Sequence, residues 1–113
     1  WNSSLVSVGV DTWGLDYALL TPSGELAGLP FCYRDSRTRG LLAETVARVP
    51  RQEIFAATGT QFMEINTLYQ WIAHHRDHPD TLSAAGSMLM IPDWLHFILC
   101  GERGVEFTNA TTT

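Results

Sequence analysis

Two apolar runs, Leu5 to Val10 and Tyr17 to Leu20, enclose the hexapeptide Asp11-Thr12-Trp13-Gly14-Leu15-Asp16. Short aliphatic and β-branched runs of this kind predict strands. The hexapeptide then falls where one strand ends and the chain turns into the next, which commits this part of the chain to a sheet. Strand ends and loops bring side chains to ligands because a rigid scaffold stands behind them. A small polar ligand is therefore expected to touch residues 11 to 16, which combine two carboxylates, a hydroxyl, an indole and a glycine.

Downstream, Thr21-Pro22-Ser23-Gly24 has turn residues in turn positions, and Glu25-Leu26-Ala27 returns as a short third strand, so residues 17 to 27 read as a hairpin. Residues 28 to 33 are extended, with Pro30 placing them at an edge or in a connector. Leu41, Leu42, Thr45, Val46 and Val49 recur at helical spacing and predict an amphipathic helix over about 39 to 49, stopped by Pro50. A second short helix covers 51 to 58, with Ile54 and Phe55 inward and Gly59 as its left-handed terminator. After a loop, a third helix runs from about Ile65 or Asn66 to His75, with Leu68, Tyr69, Ile72 and Ala73 on one face. Pro79-Asp80-Thr81 starts a short turn, and Ser87 to Ile91 reads as a buried strand. Pro92-Asp93 opens a last helix, Trp94 to Cys100, closed by Gly101; Val105-Glu106-Phe107 is expected as a final strand, with Thr108-Asn109 a cap. Phe62, Tyr69, Trp71, Trp94 and Phe97 fall at helical spacings and are assigned to the core. The sum is an α/β class, a small mixed sheet covered by helices.

A chain of 113 residues holds one domain at most, and 45% hydrophobic against 17% charged residues excludes a disordered tail. The net charge of −5, with no Lys and with Arg dispersed apart from Arg34, Arg37 and Arg39, argues against a nucleic-acid partner. No apolar run approaches a membrane span. Cys32 and Cys100 lack metal-ligand spacing and read as free, partly buried thiols of a cytoplasmic protein. The start at Trp1 and the end on Asn109-Ala110-Thr111-Thr112-Thr113, which reads as a helix start, suggest an excised or partial piece.

The hexapeptide suits a sugar, since carboxylates accept from hydroxyls, an aromatic face covers C–H bonds and a glycine lets the backbone approach. The competing reading is a turn with Trp13 in the core and both carboxylates solvated, and spacing leaves the two level. Phosphotransfer by Asp11 fails on spacing. A nucleophilic Asp wants a second Asp two residues on, where Trp13 stands, and an Asp-x-Gly phosphate loop wants Gly there, where Gly14 comes one residue late. Tyr33-Arg34-Asp35-Ser36-Arg37-Thr38 could grip an anion, but spacing favours an ion-paired loop with Asp35 and Thr38 as local partners. His74 and His78 share the i, i+4 spacing of helix-borne zinc sites. No Glu follows His74 and no third ligand is evident, so a solvated helix end is expected and no metal is assigned.

In this order the segments resemble the N-terminal domain of the FGGY family of carbohydrate kinases, over essentially the whole of residues 1–113. The resemblance is carried by Val8 to Tyr17, by Gly28-Leu29-Pro30 with Tyr33 to Thr38, by Thr58-Gly59-x-Gln61-Phe62 with Ile65 to Gln70, by Met90 to Trp94, and by Glu106 to Thr113. Tyr33 stands where the broader family has Trp. The resemblance implies part of an actin-like, ribonuclease H-like ATPase fold, with ATP and sugar in a cleft between two halves. It also implies phosphorylation, by ATP with Mg²⁺, of a ketose such as L-rhamnulose to its 1-phosphate. On this chain the ketose site would include Gly14 through its backbone, with Thr12, Trp13, Asp16 and Gln61 as further candidates. The family's Asp-x-Gly phosphate loop would precede Trp1, while the catalytic Asp of a His-Asp-Thr segment and most of the nucleotide site would follow Thr113. No catalytic residue is expected within the chain. The alternative is a non-catalytic carbohydrate-binding or interaction domain of the same fold.

Overall fold

β1 (Tyr17–Leu20) and β2 (Ser87–Met90) are the paired strands of the computed structural model, which describes residues 4–111. They run antiparallel, with Tyr17 opposite Met90 and Leu20 opposite Ser87. All four residues of β1 are buried, which is why this strand reads as a continuous apolar run rather than an alternation. Tyr17, Leu19 and Met90 form one cluster, with Ala27, Leu82, Ala85 and Met88 packed against it. Burying each of Leu19 and Leu20 stabilises the fold by about 2 kcal/mol. Gly86 donates its N–H to the Leu20 carbonyl at 2.7 Å. A Cβ at Gly86 would lie 3.0 Å from the Pro22 backbone nitrogen, so a larger residue would force these segments apart.

The helices are α1 (Leu41–Arg48), α2 (Arg51–Thr58), α3 (Thr67–Asp77), α4 (Pro79–Ala84), α5 (Ile91–Cys100) and α6 (Phe107–Ala110). The expected apolar face of α3 meets α1 in a second core of Leu41, Tyr69 and Ala73, fringed by Leu42, Leu68 and Ile72. α5 leaves β2 directly and packs on both strands. Gly59 terminates α2 at φ 67° as expected. No helix among the described residues is long and apolar enough to cross a membrane.

Several expectations are corrected. Leu5 to Val10 forms no strand, and Leu5 and Val6 are 86% and 95% exposed, because no described strand lies beside this run to pair with it. The hairpin over 17 to 27 does form, with Thr21 N–H to Glu25 O and Ala27 N–H to Leu19 O both at 2.8 Å. Its return arm, however, makes only the single bridge Leu20 to Leu26. The described sheet is thus antiparallel rather than mixed. Residues 79 to 84 are helical where a short turn was expected, and α3 runs on to Asp77, with the His78 N–H still bonded to the His74 carbonyl at 2.8 Å. α5 starts at Ile91 and takes Pro92 into its first turn, where its missing N–H is harmless. Residues 105 to 107 are no strand. Glu106, rather than Thr108 or Asn109, caps α6, accepting from the Asn109 N–H. Threonines 112 and 113 lie outside the described residues. Phe55 and Trp71 are exposed and only Tyr69 of the five assigned aromatics is buried, because α2 and α3 each have one covered face. Cys32 and Cys100 are exposed rather than partly buried.

Candidate functional site

Leu15 is the one non-glycine residue among the described residues with positive φ, at 77°. That conformation is unfavourable for a γ-branched residue and is held only when surroundings over-determine it. Here the surroundings are the first turn of α3. Thr67 Oγ1 donates to the Leu15 carbonyl at 2.7 Å, and Gln70 Nε2 donates to the same oxygen at 3.1 Å. Gln70 Nε2 also reaches the Ile65 carbonyl at 3.0 Å and Asp16 Oδ1 at 3.3 Å. Its Oε1 accepts from Arg37 Nη2 at 2.8 Å. Arg37 is held in turn by Asp35 at 3.3 Å, and its guanidinium lies 4.1 Å from the centre of the Phe31 ring. The other oxygen of Asp16, Oδ2, accepts the Trp13 indole N–H at 2.8 Å.

The left-handed step at Leu15 divides the hexapeptide. Leu15 and Asp16 turn toward α3, whereas Asp11, Thr12, Trp13 and Gly14 line an open cleft of about 360 Å³ with Val10, Pro92, Glu106, Thr108 and Asn109. Trp13 is 54% exposed, so it is not the core residue of the competing reading. The Thr12 hydroxyl donates to the Trp13 carbonyl at 3.1 Å. Across the cleft, buried Asp93 at the start of α5 accepts the Glu106 N–H on Oδ1 at 3.1 Å. Glu106 Oε2 accepts from the Thr108 hydroxyl and from the Asn109 N–H, and these bonds hold its carboxyl below the usual carboxylate range. The cleft thus offers hydroxyl acceptors on two sides, an aromatic surface and a glycine backbone.

Of the expected ligand residues, Thr12, Trp13 and Gly14 share this cleft. Asp16 does not: it is 2% exposed and both its oxygens are engaged, so it faces the scaffold. Gln61 is exposed but is not among the residues lining the cleft, and its carbonyl is taken by Asn66 Nδ2. Sequence reasoning missed Pro92, Glu106, Thr108 and Asn109 as a second wall. Spacing could not have joined them to Trp13 from the other end of the chain; the family-like segments Met90 to Trp94 and Glu106 to Thr113 were the available signal.

Neither other constellation forms a site. Arg34 donates to its own neighbour Tyr33 at 2.9 Å and Arg37 points inward, so the segment is the ion-paired loop. His74 corrects the expectation of a solvated helix end. It is 3% exposed, with Nδ1 3.1 Å from the Tyr17 hydroxyl and the Phe31 ring edge-on at 5.5 Å. Burial, with the nearby charges of Arg37 and His78, pushes its pKa below the ordinary histidine value, and burial pushes Tyr17 up to about 12. Among the described residues no group of three or more His, Cys, Asp or Glu could hold a metal ion.

The chain is 49% identical over 107 residues to the rhamnulokinase of Klebsiella pneumoniae subsp. pneumoniae, covering 95% of this chain and 22% of that protein. It is 48% identical over 107 residues to the rhamnulokinase of Pectobacterium atrosepticum, with the same coverage. It therefore spans about a fifth of the length of these curated relatives. Among solved structures, the xylulose kinase from Rhodospirillum rubrum superposes with a TM-score of 0.70 at 23% identity, over 80% of this chain and 19% of that one. A xyloylose kinase from Brucella ovis gives 0.66 at 21% identity, over 79% and 18%. At these identities the superpositions establish the fold, that of the actin-like sugar kinases. The model of the N-terminal domain of FGGY carbohydrate kinases matches residues 2–113, and on that match the chain belongs to the FGGY family of carbohydrate kinases.

Proposed function

We propose that this chain is the sugar-facing part of a cytoplasmic kinase that phosphorylates a ketose, L-rhamnulose giving L-rhamnulose 1-phosphate. The observation that carries the reading is the cleft that places Trp13, Gly14 and Thr12 opposite Glu106, Thr108 and Asn109. In it the Trp13 face covers the C–H side of the sugar and the Asp11 and Glu106 carboxylates accept from its hydroxyls. Gly14 lines the same cleft, where the lack of a side chain lets a ligand approach its backbone. The identity to two rhamnulokinases supports the choice of ketose.

ATP with Mg²⁺ would supply the phosphoryl group and neutralise charge at its oxygens. The described residues do not fit that group. Arg34 is engaged by Tyr33 and Arg37 by Asp35, Gln70 and Phe31, and among the described residues no group of three or more His, Cys, Asp or Glu is arranged for a metal. On this proposal the Asp-x-Gly phosphate loop and the base that takes the hydroxyl proton belong to segments outside the 113 residues. The chain's own share is to bind and orient the sugar.

The test is coupled ADP detection with the full-length protein that carries this chain, offered L-rhamnulose, L-fuculose and L-xylulose in turn. The expected result is the highest kcat/KM for L-rhamnulose, and no ADP from the isolated 113-residue chain. Sugar binding by the full-length protein with no ketose-dependent ADP would instead identify a non-catalytic carbohydrate-binding domain.

A further inference from the structure

We propose that Asp16 and Gln70 are positioning residues for the sugar cleft: Asp16 fixes the plane of the Trp13 indole, and Gln70 fixes the strained Leu15 carbonyl behind Gly14. The proposal rests on the reading of the cleft as a ketose site. Neither residue can touch the sugar, since they are 2% and 0% exposed. Each is joined to a residue that bounds the cleft. Asp16 holds the indole N–H at 2.8 Å, which sets the rotation of the ring about its own bonds and so the face it turns to the cleft. Gln70 and Thr67 hold the Leu15 carbonyl from two sides, at 3.1 and 2.7 Å. A left-handed Leu15 relaxes unless that carbonyl is held, and relaxation would swing Gly14 and Trp13 together. The anchor is rigid because α3 is fastened to α1 through Tyr69, Ala73 and Leu41. Arg37 completes it by occupying Gln70 Oε1, which turns the two Gln70 amide hydrogens toward Leu15, Ile65 and Asp16, the three acceptors sharing them. Preorganised side chains of this kind raise affinity by removing the ordering cost from the binding step.

The experiment uses the full-length protein with Asp16→Ala, Asp16→Asn, Trp13→Phe and the double variant Asp16→Ala/Trp13→Phe. Asp16→Ala is expected to raise the KM for L-rhamnulose about tenfold while the KM for ATP stays within about twofold. Asp16→Asn keeps an oxygen for the indole but turns an amide toward Gln70, and should stay within about threefold of wild type. Once Trp13→Phe has removed the indole N–H, adding Asp16→Ala should change the sugar KM by less than about twofold, since the two act through one bond. Equal shifts in both KM values, or independent multiplication of the Asp16 and Trp13 effects, would overturn the proposal. If Asp16→Ala does not fold, Thr67→Val removes one hydroxyl from the same carbonyl. The sugar KM should then rise about threefold with the ATP KM unmoved, and an unchanged sugar KM overturns the proposal. A wild-type protein inert to ketoses would break the ketose reading alone. The bracket would still be read out by faster hydrogen exchange at the Trp13 indole N–H in Asp16→Ala, and unchanged exchange would overturn it.

Discussion

Asp11 and Asp16 stand at the two ends of one hexapeptide, and the fold treats them oppositely. Asp11 is exposed on the cleft, while Asp16 is buried with an indole on one oxygen and a carboxamide on the other. Burying a polar group is tolerable only when its hydrogen bonds are met inside the protein. A group so satisfied has little left to offer a ligand. The front of the turn, Asp11 to Gly14, is left with open hydrogen-bonding capacity. The back, Leu15 and Asp16, is saturated by Thr67, Gln70 and Trp13. The front should therefore touch the ligand directly, while the back should govern stability and act on recognition only by positioning the front.

The largest effect on stability is expected at the back. Gln70→Leu would remove the donor to Leu15, Ile65 and Asp16 and leave Arg37 Nη2 without its acceptor, all at a fully buried position. Breaking a buried network that includes charged groups costs about 3–5 kcal/mol. Urea denaturation should show a correspondingly lower midpoint at unchanged slope. A loss below about 1 kcal/mol would erase the distinction between back and front. Thr67→Val tests the same carbonyl more gently. Because Gln70 remains to serve Leu15, the loss should be about 1–2 kcal/mol.

The architecture was legible where burial follows the pattern directly. The runs that became β1 and β2, and the Leu68, Tyr69, Ile72, Ala73 face of α3, could be read because one covered face selects apolar residues at a fixed period. Leu5 to Val10 shows the limit of that reading. Its apolar pattern is as good as that of Tyr17 to Leu20, but a strand is a property of pairs, and no described strand is in place beside it. Thr12, Trp13 and Gly14, read together from the sequence, line one cleft because the front of the turn is contiguous in sequence. Asp16 is buried away from the cleft because the left-handed φ of Leu15 reverses which way the next side chain faces, and nothing in a Leu codes for that. Gln70 was invisible as a bracket for the turn for a different reason: a Gln inside a helix looks like surface until the residue it serves folds over it.

His74 extends the comparison to pH. It lies between the titratable Tyr17 hydroxyl and the Phe31 ring, with Arg37 and His78 the charges that act on it. Its folded pKa is depressed, so the unfolded chain binds the extra proton more readily. Stability is then fully present above the ordinary histidine value and is lost as pH falls through that value toward the lower folded one. Denaturation midpoints should drop on acidification from about pH 7 to about pH 5, and more steeply in wild type than in His74→Gln. Parallel profiles would show that the acid sensitivity lies elsewhere.

The smallest effect on stability belongs to Asp11→Asn. Its side chain is exposed at the cleft and no buried partner depends on it, so the denaturation midpoint should move by no more than about 0.5 kcal/mol equivalent. On the proposed ketose reading, the same change in full-length protein replaces an acceptor-only group by a mixed donor and acceptor, and the KM for L-rhamnulose should rise several-fold. The Asp16→Asn variant should show the reverse balance, with stability falling more than recognition. If instead Asp11→Asn destabilises the fold as much as Asp16→Asn does, the two ends of the hexapeptide share one role, and the left-handed step at Leu15 does not separate a ligand face from a scaffold face.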